Sequence, residues 1–109
     1  MATIQDFEQL DIRTGTITEC EPFPQARKSA YKLTIDFGPD VGLKHSSAQI
    51  TALYTPDQLV GSRVLGVINF PTRVVAGFSS EVLVLGVYAP EGVVLICADR
   101  PVPNGLRLG

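Results

Sequence analysis

Tyr31-Lys32-Leu33-Thr34-Ile35-Asp36-Phe37 alternates four large apolar or aromatic residues with Lys32, Thr34 and Asp36. A period of two puts the first set on one face of a strand and the second on the other, so the run predicts a half-buried strand. Gly38-Pro39-Asp40 turns it. Leu43 to Thr51 then reads as a more polar strand, with Lys44, Ser46, Ala48 and Ile50 on one face and His45, Ser47, Gln49 and Thr51 on the other. Upstream, Asp11 to Cys20 is rich in threonine and isoleucine and predicts another strand. Gly15 lies in its middle, where a bulge or sharp bend is the usual reason for glycine. Glu21 to Lys28 carries two prolines and reads as a loop.

Farther out, Thr3 can cap a short helix with Asp6 as its capping-box partner, and Ile4, Phe7 and Leu10 share one face of it. Thr55-Pro56 to Gly61 has the cap, the first-turn proline and the closing glycine of a single helical turn. Val64–Phe70, Val82–Tyr88 and Val93–Cys97 are apolar strands, and the tail from Asp99 to Leu108 is rich in turn residues. Short strands, recurring turns and one helical turn between the third and fourth strands suit an all-β protein. The expected fold is a five-stranded barrel of the oligonucleotide/oligosaccharide-binding (OB) type. A sandwich of similar strands is the alternative. No linker or composition shift divides residues 1–109, so one domain is expected.

The chain has 109 residues and a formal charge of −2. A net acidic chain does not attract nucleic acid by bulk charge and would need a local basic patch, for which Arg27, Lys28, Lys32, Lys44 and Arg73 are available. Cys20 and Cys97 make no CxxC pair, and with His45 as the one histidine they predict no metal or redox centre, only two reduced, buried thiols. The first residues lack the basic and apolar regions of a signal peptide, and no apolar run is long enough to span a bilayer. A soluble, cytoplasmic protein with no membrane insertion is expected.

Chemistry is sparse. His45 and Ser46 are neighbours on a strand and point to opposite faces, so they cannot pair as base and nucleophile. No phosphate-binding glycine loop or dinucleotide fingerprint occurs. The expectation is no enzymatic activity and no cofactor. The polar residues concentrate instead at the junction Asn69 to Glu81, where Asn69, Arg73, Ser79, Ser80 and Glu81 read as the rim of a groove floored by Phe70 and Phe78. Such a groove suits an extended peptide or an unstacked base. The structural alternative is that Pro71 ends a strand, Gly77 turns the chain and Glu81 accepts backbone hydrogen bonds. Lys44, Ser46 and Gln49 form a second polar group with the same two readings, ligand contact or a solvated face. Arg27 and Lys28 read as solvated loop charges.

Five segments together resemble the tRNA-binding domain, which occurs alone and fused to methionyl-tRNA synthetases. They are Asp11-Ile12-Arg13-Thr14-Gly15, Tyr31 to Gly38, Gly61-Ser62-Arg63-Val64, Asn69-Phe70-Pro71 and Ala76-Gly77-Phe78-Ser79-Ser80-Glu81. Ser46 to Thr51, Ser80 to Gly86 and Pro101-Val102-Pro103-Asn104-Gly105 resemble the secretion-associated chaperone branch of that family. The resemblance implies an OB barrel with N- and C-terminal extensions that build a homodimer. It also implies unfolded precursor proteins as ligands, the translocation ATPase as a further partner, and tRNA as the alternative ligand. Where tRNA-binding relatives have Ser-Glu-Gly-Met, this chain has Ser80-Glu81-Val82-Leu83, and Ser47-Ala48 replaces a Ser-Gly pair. These departures predict a narrower, more apolar site that favours peptide.

Overall fold

The computed structural model describes residues 1–109. The elements are α1 (Ile4–Glu8), β1 (Ile12–Pro22), β2 (Tyr31–Asp36), β3 (Leu43–Ala48), α2 (Pro56–Leu59), β4 (Arg63–Val67), β5 (Arg73–Val75), β6 (Phe78–Ser80), β7 (Leu83–Val84), β8 (Gly86–Ala89) and β9 (Gly92–Leu95). Five strands form one antiparallel sheet in the order β3-β2-β1-β4-β7. The sheet curls until its two edges meet: the Glu81 amide donates to the His45 carbonyl at 2.8 Å, and the Ser46 hydroxyl donates to the Val82 carbonyl at 2.7 Å. The result is the nearly closed five-stranded barrel of an OB fold.

Closure depends on β1, which changes partner along its length. Ile12 to Thr16 pair with β4, and Thr16 to Pro22 pair with β2, with Thr18 as an extra residue between Ile17 and Glu19. A bulge of this kind bends a strand and sharpens its twist. Gly15 lies beside the change of partner, but a second reason for it lies inside the barrel. A Cβ at Gly15 would come within 2.8 Å of the Phe37 ring, and one at Gly66 on β4 within 2.9 Å of the same ring. The two glycines form the slot that admits Phe37.

The alternation that predicts β2 holds, since Leu33, Ile35 and Phe37 are fully buried. They pack with Ile17, Ala48, Ile50, Leu59, Val64 and Val82 in the main core. A smaller cluster, Ile12, Leu65 and Val67, lies on the other face of β4, where Leu10 and Leu85 cover it. Residues 82–88, expected as one strand, are two: β7 follows β4, then the chain leaves the barrel so that β8 can pair with β9. Cys20 is half-buried, and burial pushes its thiol up from the usual range. Cys97, expected to be buried, is exposed beyond the end of β9.

The tail is part of this barrel. Gly105 donates to the Thr14 carbonyl (2.7 Å), Thr14 to that of Leu106 (2.9 Å) and Leu108 to that of Ile12 (2.8 Å), so the tail continues the sheet beside β1 where β2 has ended. A charged knot holds both chain ends there. The Arg13 guanidinium donates to Asp11 at 2.6 Å and to the Gly105 carbonyl at 2.9 Å, while that of Arg107 donates to the carbonyls of Glu8 and Leu10. The hydrogen bond from Arg13 holds the Asp11 carboxyl below its ordinary pKa and raises that of Arg13.

A carboxylate with a lowered folded pKa stabilises the fold above its unfolded value, about 3.9, and that stability is lost as pH falls through the folded value. Urea unfolding of the wild type should therefore weaken from about pH 4 downward. Asp11→Asn should be less stable than wild type at neutral pH and lose less on acidification. Parallel curves for the two proteins would rule the knot out as a contributor.

Candidate functional site

The junction between β4 and β7 folds as a hairpin: the turn at Gly77 is the one the structural alternative had, while the two short strands beside it are not predicted from the sequence. Val75 pairs with Phe78 across the two-residue turn Ala76-Gly77. Ala76 (φ 47°) and Gly77 (φ 82°) both lie in the left-handed region. That is the primed turn whose twist matches a two-residue hairpin, and it strains Ala76, which has a Cβ.

The hairpin forms one wall of an open cleft of about 510 Å³. Arg73, Val74, Val75 and Ala76 line that wall, and Gln25, Ala26, Arg27 and Lys28 line the other, joined by Ala30, Ser47, Gln49 and Ser80. A recess of about 200 Å³ shares Ser47, Arg73 and Ser80 with it and adds Phe70, Pro71, Glu81, Val82 and Leu83. Cleft and recess adjoin at these three shared residues and together make up the candidate groove. Its electrostatics oppose those of the whole chain. The ion pairs of the fold involve Arg13, Lys32, Lys44, His45, Arg100 and Arg107. Arg27, Lys28 and Arg73 take part in none of them, and no carboxylate lines the larger cleft. The groove therefore presents three exposed cations on a protein of net charge −2.

Of the residues expected at the site, Arg73, Ser80, Gln49, Phe70 and Glu81 line this groove. Phe70 is largely exposed. The Ser80 hydroxyl accepts from the Ser47 amide at 2.9 Å, and Glu81 accepts from the His45 amide at 3.0 Å with Lys44 at 3.8 Å. These two residues bracket β3 to the hairpin, as the structural alternative for Glu81 had it.

Other expected residues lie elsewhere. Ser46 is buried and its hydroxyl is committed to Val82, because it shares the inner face of β3 with Ala48. Lys44 belongs to that face too, so it does not stand with Gln49. Asn69 is a latch: its amide oxygen accepts from the Asp11 amide at 2.9 Å, and its nitrogen donates to the Gln9 carbonyl at 2.8 Å. Phe78 is not part of the groove floor. Its ring packs edge-on against the buried Phe23, with centroids 5.5 Å apart, and the Lys32 ammonium lies 5.7 Å from it. This places Phe78 in a separate recess with Glu19, Glu21 and His45. Ser79 is exposed and lines none of these recesses.

Val82, which stands where the tRNA-binding relatives have glycine, lines the recess but buries its side chain in the core, 2.6 Å from where a Cβ on Gly66 would stand. Leu83 is half exposed and does add apolar surface to the recess. Sequence reasoning passed over Val74, noted Ser47 only as part of the Ser47-Ala48 departure, and read Arg27 and Lys28 as solvated charge though available to a basic patch. The one local clue was that these basic residues sit in a proline-bounded loop fixed at Phe23 and Ala30, both buried.

Similarity to known proteins agrees with this architecture. Residues 12–107 match the family model described as "Putative tRNA binding domain". The crystal structure of chaperone CsaA from Bacillus anthracis is 49% identical, covers 100% of this chain and 99% of its own, and superposes with a TM-score of 0.93. That of CsaA from Picrophilus torridus is 46% identical over 100% of both chains, with a TM-score of 0.95. The methionine–tRNA ligase of Porphyromonas gingivalis is 38% identical over 88 residues, which is 81% of this chain; the chain spans only 12% of the length of that ligase. The chain belongs to the tRNA-binding-domain family, in its CsaA branch.

Proposed function

We propose that the protein is a non-enzymatic, ATP-independent export chaperone that binds extended segments of unfolded precursor proteins. The observation that carries this reading is the groove. It combines three unpaired cations, from Arg27, Lys28 and Arg73, with exposed apolar surface from Phe70, Val74 and Leu83. Apolar segments of an unfolded chain would cover the latter, and acidic side chains would meet the former. No nucleophile and base come together there, and no phosphate loop is present to couple binding to ATP. In this reading the protein acts in the cytoplasm and hands its cargo to the translocation ATPase.

A homodimer belongs to the same proposal. Phe7, Leu106 and Leu108 are exposed where α1 and the tail come together, as are Val87 and Tyr88 on the β8–β9 hairpin. A second copy covering such surface would present two grooves to one chain and gain avidity without new contacts.

A second reading, tRNA binding, is favoured by the same three cations and by membership of the family. Parallel titrations of a reduced, unfolded precursor and of tRNA across a salt series separate the two. If tRNA is the ligand, three phosphate contacts give a log–log salt slope of about −2 to −3. If precursor is the ligand, the protein keeps it from aggregating without ATP and the salt dependence is shallower, because apolar contacts share the binding. A precursor that neither binds nor stays soluble refutes the chaperone reading.

A further inference from the structure

We infer that the cleft takes its ligand as an added β-strand, with an extended, carboxylate-bearing polypeptide segment pairing along the open edge of β5. The inference rests on the chaperone reading and specifies how that groove holds its cargo.

Three observations carry it. First, β5 pairs only with β6, so its other edge is unpartnered. Second, the hairpin register says which groups that edge offers. Val75 and Phe78 close a two-residue turn and exchange their backbone hydrogen bonds, so Arg73 and Ser80 do the same and the Val74–Ser79 pair between them does not. The Val74 amide and carbonyl therefore point away from β6, and Val74 is 72% exposed. Third, the cleft is lined by four successive residues, Arg73 to Ala76. The cleft that holds the unpaired cations thus adjoins the strand whose Val74 amide and carbonyl are left free by the hairpin register.

Main-chain pairing on a sheet edge is largely indifferent to sequence, which suits cargo of many sequences. The walls supply what preference there is. Arg27 and Lys28 across the cleft and Arg73 beside it lack carboxylate partners in the fold, so the segment they complement carries Asp or Glu. The sheet edge is also what favours polypeptide over RNA, since a phosphodiester chain has no regular series of donors and acceptors to match a strand.

The test uses a short capped peptide of alternating Glu and Val, titrated by fluorescence anisotropy. Val74→Pro removes one donor that the fold does not use, at a position on an edge strand where proline is tolerated. It should weaken peptide binding at least about tenfold, since proline also displaces the incoming strand from the carbonyl. Val74→Thr keeps both groups and should bind like wild type. A second measurement does not depend on any variant. N-methylating the peptide amides at the Glu set alone, or at the Val set alone, should abolish binding for one set and spare it for the other.

Equal effects of the two methylated peptides, or wild-type affinity in a folded Val74→Pro, overturn strand addition. An oligouridylate that displaces the peptide and binds Val74→Pro and wild type alike, with neither methylation pattern mattering, assigns the cleft to phosphate instead. Aggregation of an unfolded precursor is followed in parallel. Protection that survives an unaffected Val74→Pro overturns the binding mode but not the chaperone reading. Absent protection, with the alternating methylation pattern intact, supports strand addition and overturns that reading.

Discussion

Replacing Phe37 with alanine should lower the unfolding free energy by about 3–5 kcal/mol, the usual cost of truncating a buried phenylalanine. That is a large fraction of the roughly 5–15 kcal/mol that holds a domain of this kind together. The cost should lie toward the upper end because the surroundings cannot collapse into the vacancy. Phe37 is fully buried, and its slot is formed by Gly15 and Gly66, which have no side chains to move in. The complementary substitution, Gly66→Ala, would place a Cβ 2.6 Å from Val82 Cγ1 and 2.9 Å from Phe37 Cζ, an overpacking worth about 1–3 kcal/mol. The two effects should couple: in a Phe37→Leu background, Gly66→Ala should cost distinctly less. Urea unfolding of the four proteins checks this, and strictly additive losses would show that ring and glycine do not share one space.

The second large effect concerns binding. Reversing the three groove charges together, Arg27→Glu, Lys28→Glu and Arg73→Glu, should weaken an acidic peptide at least about a hundredfold, because attraction becomes like-charge repulsion in a confined cleft. The salt dependence of binding should also change sign or vanish. Stability should move by no more than about 0.5 kcal/mol, since all three residues are exposed and unpaired. Unchanged peptide affinity in the triple variant would remove the groove from the functional account. A loss confined to tRNA would favour the second reading.

The sequence was most informative where burial is one-sided. The β2 alternation announced itself because every second residue faces the core, and the same logic on β3 already placed Ser46 with Ala48 and Ile50 on the inner face. Grouping Ser46 with Gln49 overlooked that parity. Apart from the turn at Gly77, the β5–β6 hairpin was illegible for a different reason. Its strands have three residues each, Val74 faces solvent, and its turn uses alanine where asparagine or aspartate commonly signals a left-handed residue. The groove is a long-range construction. Arg27 and Arg73 are far apart in sequence and meet only because the proline-bounded loop and the hairpin flank the same end of β3. Asn69 likewise spends its amide on a segment about sixty residues upstream, which no local pattern reveals.

The knot of Asp11, Arg13 and Arg107 brings the two ends of the domain to one place. Segments that adjoin in this way allow the domain to be circularly permuted: the stretch before Glu8 could be joined to the stretch after Arg107 by a short connector and the chain opened elsewhere, with Ala76-Gly77 an exposed point to cut. The barrel of such a permutant should still form, because every strand pairing is kept. Adjoining ends also make the fold easy to append to a larger protein, since a fusion at either terminus leaves the barrel at the same spot.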